Sequence, residues 1–264
     1  MISDSELLFL NRQGFIPGPQ ETEEMFLKRI DSVKSAFEQG SKMPKHHWEW
    51  VRVHLKEVFD FEPHCLPVFY SNSGLALWQG AAVWIEEGRI TSMQLKAALK
   101  KGAYLGYSRD EILAHESVHA ARSAFDEPKS EEFFAFLVSE KWWRRAFGPI
   151  VRRSWEVWAF LTFAVASLFS IWGQLAVACW VGAGFFRLMH CHWRMRNAAK
   201  HLHRAVKDVR CARAILMRLT DAEIRLFSRG EPFFSYADQQ TCLRWRLIRL
   251  AYIKDDDGKK NYSG

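Results

Sequence analysis

Thirty consecutive residues, Val157 to Phe186, carry no charge, and Gln174 is the only strongly polar side chain among them. A globular core rarely needs such a run, whereas about twenty apolar residues already span the roughly 30 Å hydrocarbon layer of a bilayer. Trp155, Trp158 and Trp193 stand near its ends, where interfacial aromatics belong. The run therefore marks an integral membrane protein. Arg144, Arg145, Arg152 and Arg153 precede it, and Arg187, Arg194, Arg196 and Lys200 follow. Because basic residues favour the cytoplasmic side, both flanks are expected there, which requires an even number of crossings. Gly173-Gln174 divides the run into arms of about fifteen residues, short but sufficient for a shallow or tilted helical hairpin. A hairpin over residues 154–189 is thus the expectation. One long span is the alternative, and it would put the C-terminal third across the membrane. Asp4 and Glu6 occupy the N-terminus without a basic region before an apolar stretch, so no cleaved secretory signal is expected.

Charge is unevenly divided. Residues 1–154 hold 20 Lys+Arg against 21 Asp+Glu, while residues 190–264 hold 16 against 8. A basic stretch beside a bilayer attracts anionic head groups, at about 1 kcal/mol per charge near the surface. No nucleic-acid-binding motif accompanies it, so membrane lipid, anionic lipid included, is the expected partner and nucleic acid is not. Five cysteines (Cys65, Cys179, Cys191, Cys211, Cys242) are scattered with no C-x-x-C pair, the usage of a reducing compartment.

The chemistry is carried by His115-Glu116-Ser117-Val118-His119, an H-E-x-x-H. On a helix, residues four apart share a face, so both imidazoles reach one metal ion, and the glutamate stands near any water in the open position. Ile112, Leu113, Val118 and Ala121 recur at helical spacing, and Ser108 with Glu111 three residues later reads as a capping box. Zn2+ held by three protein ligands lowers the pKa of water to about 7.

A third ligand must come from elsewhere. Arg122 and Phe125 occupy the places where a downstream histidine would fall, and the chain continues Asp126-Glu127-Pro128-Lys129-Ser130-Glu131-Glu132-Phe133-Phe134-Ala135. Asp126 and Pro128 mark a helix stop and restart, predicting a tight antiparallel corner. His119 lies about six residues before that corner and Glu132 about five after it, so the two return to a similar height at 1.5 Å per residue. Glu131 and Glu132 point about 100° apart. Glu132 shares a face with the small Ala135 and is the preferred ligand; Glu131 is the alternative.

His115-Glu116-Ser117-Val118-His119 followed by Glu132-Phe133-Phe134-Ala135 resembles the gluzincin-type metallopeptidases, most of all the membrane-associated group of heat-shock membrane proteases and CAAX-prenyl endopeptidases. The resemblance covers roughly residues 60 to 140. It implies zinc, peptidase activity, and an edge strand before the active helix; Pro67 to Ser71 and Leu75 to Ile85 read as strands that fit. In that group an aspartate follows the Glu-aromatic-x-Ala string, and here Phe136 takes its place.

The expected fold class is α+β: a zincin-like, mostly helical catalytic domain over residues 1–150, with its metal site within 108–140 and a small edge-strand sheet. A membrane-embedded hairpin (154–189) and a basic helical region (190–264) follow, the latter completing the catalytic domain or lying at the membrane surface. Residues 20–40 and 45–58 read as core-packing helices. Thr220 to Tyr252 reads as helical with a break at Gly230-Glu231-Pro232, and the tail from Lys254 to Gly264 reads as disordered. His190 with His201, and His192 with His203, lie about 16 Å apart along a helix, too far for one ion. Tyr236 and Arg244 are candidate oxyanion stabilisers by residue type.

The expected function is a membrane zinc endopeptidase with its catalytic domain on the cytoplasmic side. Glu116 is its general base, His115, His119 and Glu132 hold the metal, and its substrates are membrane or membrane-proximal proteins and peptides. A catalytically silent, zinc-binding regulatory protein is the alternative.

Overall fold

Among the described residues, side chains that accept backbone N–H bonds start six of the α-helices, as short polar residues do where the first turn leaves its donors free. The computed structural model describes residues 1–40, 43–86, 89–151 and 154–253. Arg152, Arg153 and the tail from Lys254 lie outside them. Ser3 caps α1 (Asp4–Arg12) and Thr22 caps α2 (Glu23–Gln39), while α3 (Glu49–Phe59) continues a short 3-10 turn.

A three-stranded sheet follows: β1 (Val68–Tyr70), β2 (Ala81–Glu86) and β3 (Arg89–Leu95). Its order is β1-β3-β2, with β1 parallel and β2 antiparallel to β3, so β2 is an edge. The strand expected from Leu75 begins only at Ala81. Residues 75–80 instead form turns in which the Gln79 side chain accepts from the Ala76 N–H, a side-chain bond that competes with strand pairing. β3 was hidden in the sequence by its polar residues. Gln94, 2% exposed, bonds Trp84 and the carbonyls of Ser71 and Ser73, pinning the loop that leads toward β2.

β4 (Ala103–Tyr104) and β5 (Tyr107–Ser108) make a two-residue hairpin whose corner residues Leu105 and Gly106 both have positive φ, 48° and 78°. Such a corner matches the twist of the flanking strands. Ser108 then caps α4 (Arg109–Arg122), as expected, by accepting from the Glu111 N–H. The Glu111 carboxylate does not close the capping box; it is bonded to Ser139 and Arg144 instead. The corner is where the sequence placed it: Asp126 takes φ 49°, and Pro128 opens α5 (Pro128–Leu137). α6 (Trp142–Phe147) leads to the apolar run.

That run folds as two antiparallel helices, α7 (Ser154–Ser167) and α8 (Ile171–Val206). The break falls at residues 168–170, just before the expected Gly173-Gln174, because Ser170 supplies the N-cap of α8. Gly173 serves close packing: a Cβ there would lie 2.4 Å from the Ala166 backbone. Trp180 meets Trp155 and Phe163 edge-on at 5.7 and 5.6 Å. At the base, Arg187 donates to both Glu156 oxygens at 2.8 and 2.9 Å. At about 1.5 Å per residue the fourteen residues of α7 reach about 21 Å. Among the described residues, α8 is the one helix long and apolar enough to cross a membrane.

α8 changes character along its length. Up to Phe186 Gly173 is its one buried residue, whereas Leu188, Cys191, Met195, Ala198 and Leu202 then form a buried stripe at helical spacing. From Cys191 onward that stripe joins Leu113 and Val118 of α4, Phe134 of α5 and Leu55 of α3 in one core. α9 (Val209–Met217), α10 (Asp221–Ser228), α11 (Phe233–Gln239) and α12 (Leu243–Tyr252) pack into it as well. The basic C-terminal region therefore completes the globular body, and α8 ends in its core. The expected break at Gly230-Glu231-Pro232 separates α10 from α11.

Tyr236 and Arg244 depart from expectation. The Arg244 guanidinium holds both oxygens of Glu223 at 2.8 and 2.9 Å and donates to the Arg218 carbonyl, with 4% and 5% side-chain exposure for the pair. Tyr236 faces the same carboxylate at 3.4 Å. Neither lines the cavity described below. They fasten α10 to α11 and α12. Burial alone would push Glu223 up, but Arg244, the Thr220 N–H and the Trp245 indole hold it below the ordinary 4.5. A depressed carboxylate contributes stability above its unfolded pKa and loses it as pH falls. Unfolding midpoints should thus drop on acidification below about 4.5. At neutral pH, Arg244→Met should cost about 3–5 kcal/mol in denaturant titration, because it strands a buried carboxylate. A loss under 1 kcal/mol would refute the assignment.

Candidate metal centre

α4 carries His115, Glu116 and His119, and α5 returns Glu131 and Glu132 across the Asp126–Pro128 corner. The facing surfaces are small: Ala114 and Ala135 are fully buried and let the two helices approach closely. The back of α4 is held by Arg122, 1% exposed, which donates to the carbonyls of Met217 and Leu219 and lies 4.2 Å over the Phe125 ring and 4.8 Å over Phe134. Burial pulls its guanidinium down to about 10. The C-terminal region thereby sets the depth of the H-E-x-x-H helix.

His115, His119 and Glu132 each present one donor atom, and the three lie within 4.8 Å of one another. The two Nε2 atoms are 3.2 Å apart, and Glu132 oxygens lie 3.7 Å from each. Donors in a tetrahedral zinc site with bonds of about 2.0–2.1 Å are about 3.3 Å apart, so the set fits such an ion with little adjustment.

Glu131 has a different role from Glu132. Its carboxylate accepts a hydrogen bond from His119 Nδ1 at 2.8 Å. Because Nδ1 is the donor, neutral His119 has its Nε2 lone pair facing His115 and Glu132. Carboxylates in this position fix the tautomer and ring orientation of metal-binding histidines. The sequence offered Glu131 only as an alternative ligand; the adjacent acidic pair was the signal, but a helical wheel alone does not say which nitrogen each carboxylate meets. Phe136, where the resembled group has an aspartate, packs edge-on against His115 at 4.7 Å. Gly148 makes room for that ring, since a Cβ there would come within 2.2 Å of it.

Electrostatics distinguish the three α4 groups. Burial lowers His115 well below 6.5, helped by the His119 charge, with a backbone hydrogen bond at Ala135 acting the other way. Burial also lowers His119, but the Glu131 hydrogen bond and the charges of Glu132, Glu116 and Glu131 outweigh it and push it up to about 9. Glu116 rises to about 7 through burial, opposed by His119 and reinforced by Glu132 and Glu131. A carboxylate near 7 both takes and returns a proton at neutral pH.

These groups open onto a cavity of about 400 Å³. Gly80, Ala81 and Ala82 at the start of edge strand β2 form one wall, and Leu105 at the β4–β5 corner another. Val151 and Val157, at the foot of α7, line the same space. Trp78 joins the two parts, meeting Trp158 of α7 edge-on at 5.2 Å. A further cluster, which sequence reading missed, supports the mouth: Arg144 of α6 pairs with Glu111, donates to the Gly106 carbonyl at 2.8 Å and lies 3.6 Å over the Tyr107 ring.

Three of the other histidines are engaged structurally. His54, His192 and His201 bond the carbonyls of Val138, Ala146 and Glu231. All five cysteines are free thiols. Comparison of the chain with family models, with curated proteins and with solved structures finds no match.

Proposed function

We propose that this chain is a membrane-embedded zinc endopeptidase of the gluzincin type. The observation that carries the reading is the convergence of two imidazoles and one carboxylate, at zinc-compatible separations, on the floor of a cavity that also holds Glu116. His115, His119 and Glu132 would hold the ion, and Glu131 would orient His119. Zinc bound there would supply Lewis-acid activation of the attacking water and of the scissile carbonyl.

The protein's own groups do the rest. Among the described residues, edge strand β2 pairs on one side alone, with β3, and an extended peptide would lie along its other side, beside the cavity, by strand addition. Glu116 takes the proton of the attacking water and delivers it to the departing amine. The apolar hairpin α7–α8 would embed in the bilayer from one side. α7, at about 21 Å, is too short to cross about 30 Å of hydrocarbon, and α8 turns from an exposed apolar helix into a core-forming one after Phe186, ending in the core that holds the site. With basic flanks favouring the cytoplasmic face, the site would sit there, beside the membrane. Val151, Val157 and Trp78 then bring the cavity to the interface, suiting membrane proteins and membrane-proximal peptides as substrates.

The test is proteolysis of an unfolded fluorescent casein by the purified chain in detergent micelles. Activity should disappear with a zinc chelator and return with added Zn2+. A zinc-loaded protein that cleaves neither casein nor membrane-anchored peptides would instead favour a silent regulatory role, for which Phe136 against His115 is the motive.

A further inference from the structure

Away from the metal centre, a second cavity of about 270 Å³ lies at the foot of the apolar hairpin. Phe186, Arg187, His190, Cys191, Arg194 and Met195 of α8 line it, with Ser130 of α5 and Ile224 of α10 opposite. Arg187, His190 and Arg194 recur at spacings of three and four, so their donors stack along one face where α8 passes from its apolar to its core-forming half.

Three observations make this a built site. Arg187 and Arg194 each keep a buried Nε with no hydrogen-bond partner among the described residues. Arg187 spends its terminal nitrogens on Glu156 and the Ile150 carbonyl, while Arg194 donates to the Asp221 carbonyl, which leaves its charge without a facing carboxylate bond among those residues. Around them, the exposed rings of Phe186 (75%) and Trp193 (53%) stack on the His190 imidazole at 6.5 and 6.0 Å. Stranded guanidinium donors call for an anionic acceptor, and exposed rings beside them call for an apolar neighbour.

We propose that this cavity binds the phosphate of an anionic phospholipid, with the acyl chains lying along Phe186 and the apolar part of α8. Its volume, just below the usual range for small-ligand pockets, suits a head group rather than a whole lipid. The site rests on the reading of α7–α8 as membrane-embedded, and it adds a specific lipid contact to that reading. Because Ser130 stands in the first turn of the helix that carries Glu131 and Glu132, the occupied pocket would brace α5 from the side opposite the candidate metal ligands.

The experiment has two parts on the full chain. Flotation with neutral phosphatidylcholine vesicles first tests membrane insertion; a chain that floats with neither neutral nor phosphatidylglycerol-containing vesicles overturns the membrane reading and the lipid site together. Native mass spectrometry from mixed micelles then compares retained phosphatidylglycerol with phosphatidylcholine. Wild type should prefer the anionic lipid, and Arg194→Gln and His190→Ala should each lower that preference, the arginine change by about fivefold, the equivalent of one charge near the surface. Arg196→Gln, an exposed position outside the cavity, should leave it unchanged. A chain that floats but shows no anionic preference, or equal losses for Arg194→Gln and Arg196→Gln, overturns the pocket alone. Displacement of the lipid by inorganic phosphate or glycerol 3-phosphate at equal concentration would assign the site to a soluble phosphate and overturn the lipid source.

Discussion

Glu116→Gln should lower peptide hydrolysis by about 10²–10⁴-fold while leaving zinc content unchanged, the range that a positioned general acid–base contributes. The amide keeps the size of the side chain and the packing of α4 but neither accepts nor returns a proton at neutral pH. Glu116 lines the cavity and is not one of the three convergent donors, so metal retention should be unaffected. Turnover is measured on fluorescent casein and zinc by elemental analysis of the same preparation. Hydrolysis that survives the substitution would remove Glu116 from the chemistry. Zinc lost together with activity would mean that the glutamate is a ligand, and the division of roles proposed above would fail.

The second large effect separates the two neighbouring glutamates. His115→Ala, His119→Ala and Glu132→Ala should each strip the purified chain of zinc, because a three-ligand site reduced to two no longer competes with chelating buffer. Glu131→Gln should instead retain metal with affinity weakened about 10–100-fold, the usual cost of losing a carboxylate that orients a ligand histidine. The basis is geometric: Glu131 meets His119 on Nδ1 at 2.8 Å, whereas Glu132 oxygens stand 3.7 Å from both Nε2 atoms. Full stoichiometry in Glu132→Ala with none in Glu131→Gln would reverse the assignment. Full stoichiometry in His115→Ala would end the metal reading altogether.

The pairing of His115 with His119 was legible because helical periodicity is local: four residues along α4 return the chain to the same face whatever surrounds it. The corner at Asp126–Pro128 was legible for the same reason, and equal climbs on either side of it brought Glu132 to the height of His119. The placement of Tyr236 and Arg244 was not. Both are residue types that stabilise oxyanions, but they face Glu223, a partner 13 and 21 positions away whose position depends on how α10, α11 and α12 stack. Nor was β3 visible, since Gln94 is buried through bonds to Trp84, Ser71 and Ser73 rather than by hydrophobicity.

By itself, then, the sequence determined what short-range physics controls: an H-E-x-x-H helix, a capped start at Ser108, a sharp restart before two glutamates, and an uncharged run with little to gain from water. Tertiary packing decided the rest. It chose Glu132 over Glu131 to face both imidazoles, turned Glu111 from a capping partner into the anchor of Arg144, and folded the apolar run back on itself so that α8 ends inside the core. It also set Val157 beside the cavity that holds His115, His119 and Glu132. Those outcomes depend on which surfaces meet across long stretches of chain, and the direction of a side chain toward a distant partner is fixed only when both helices are in place.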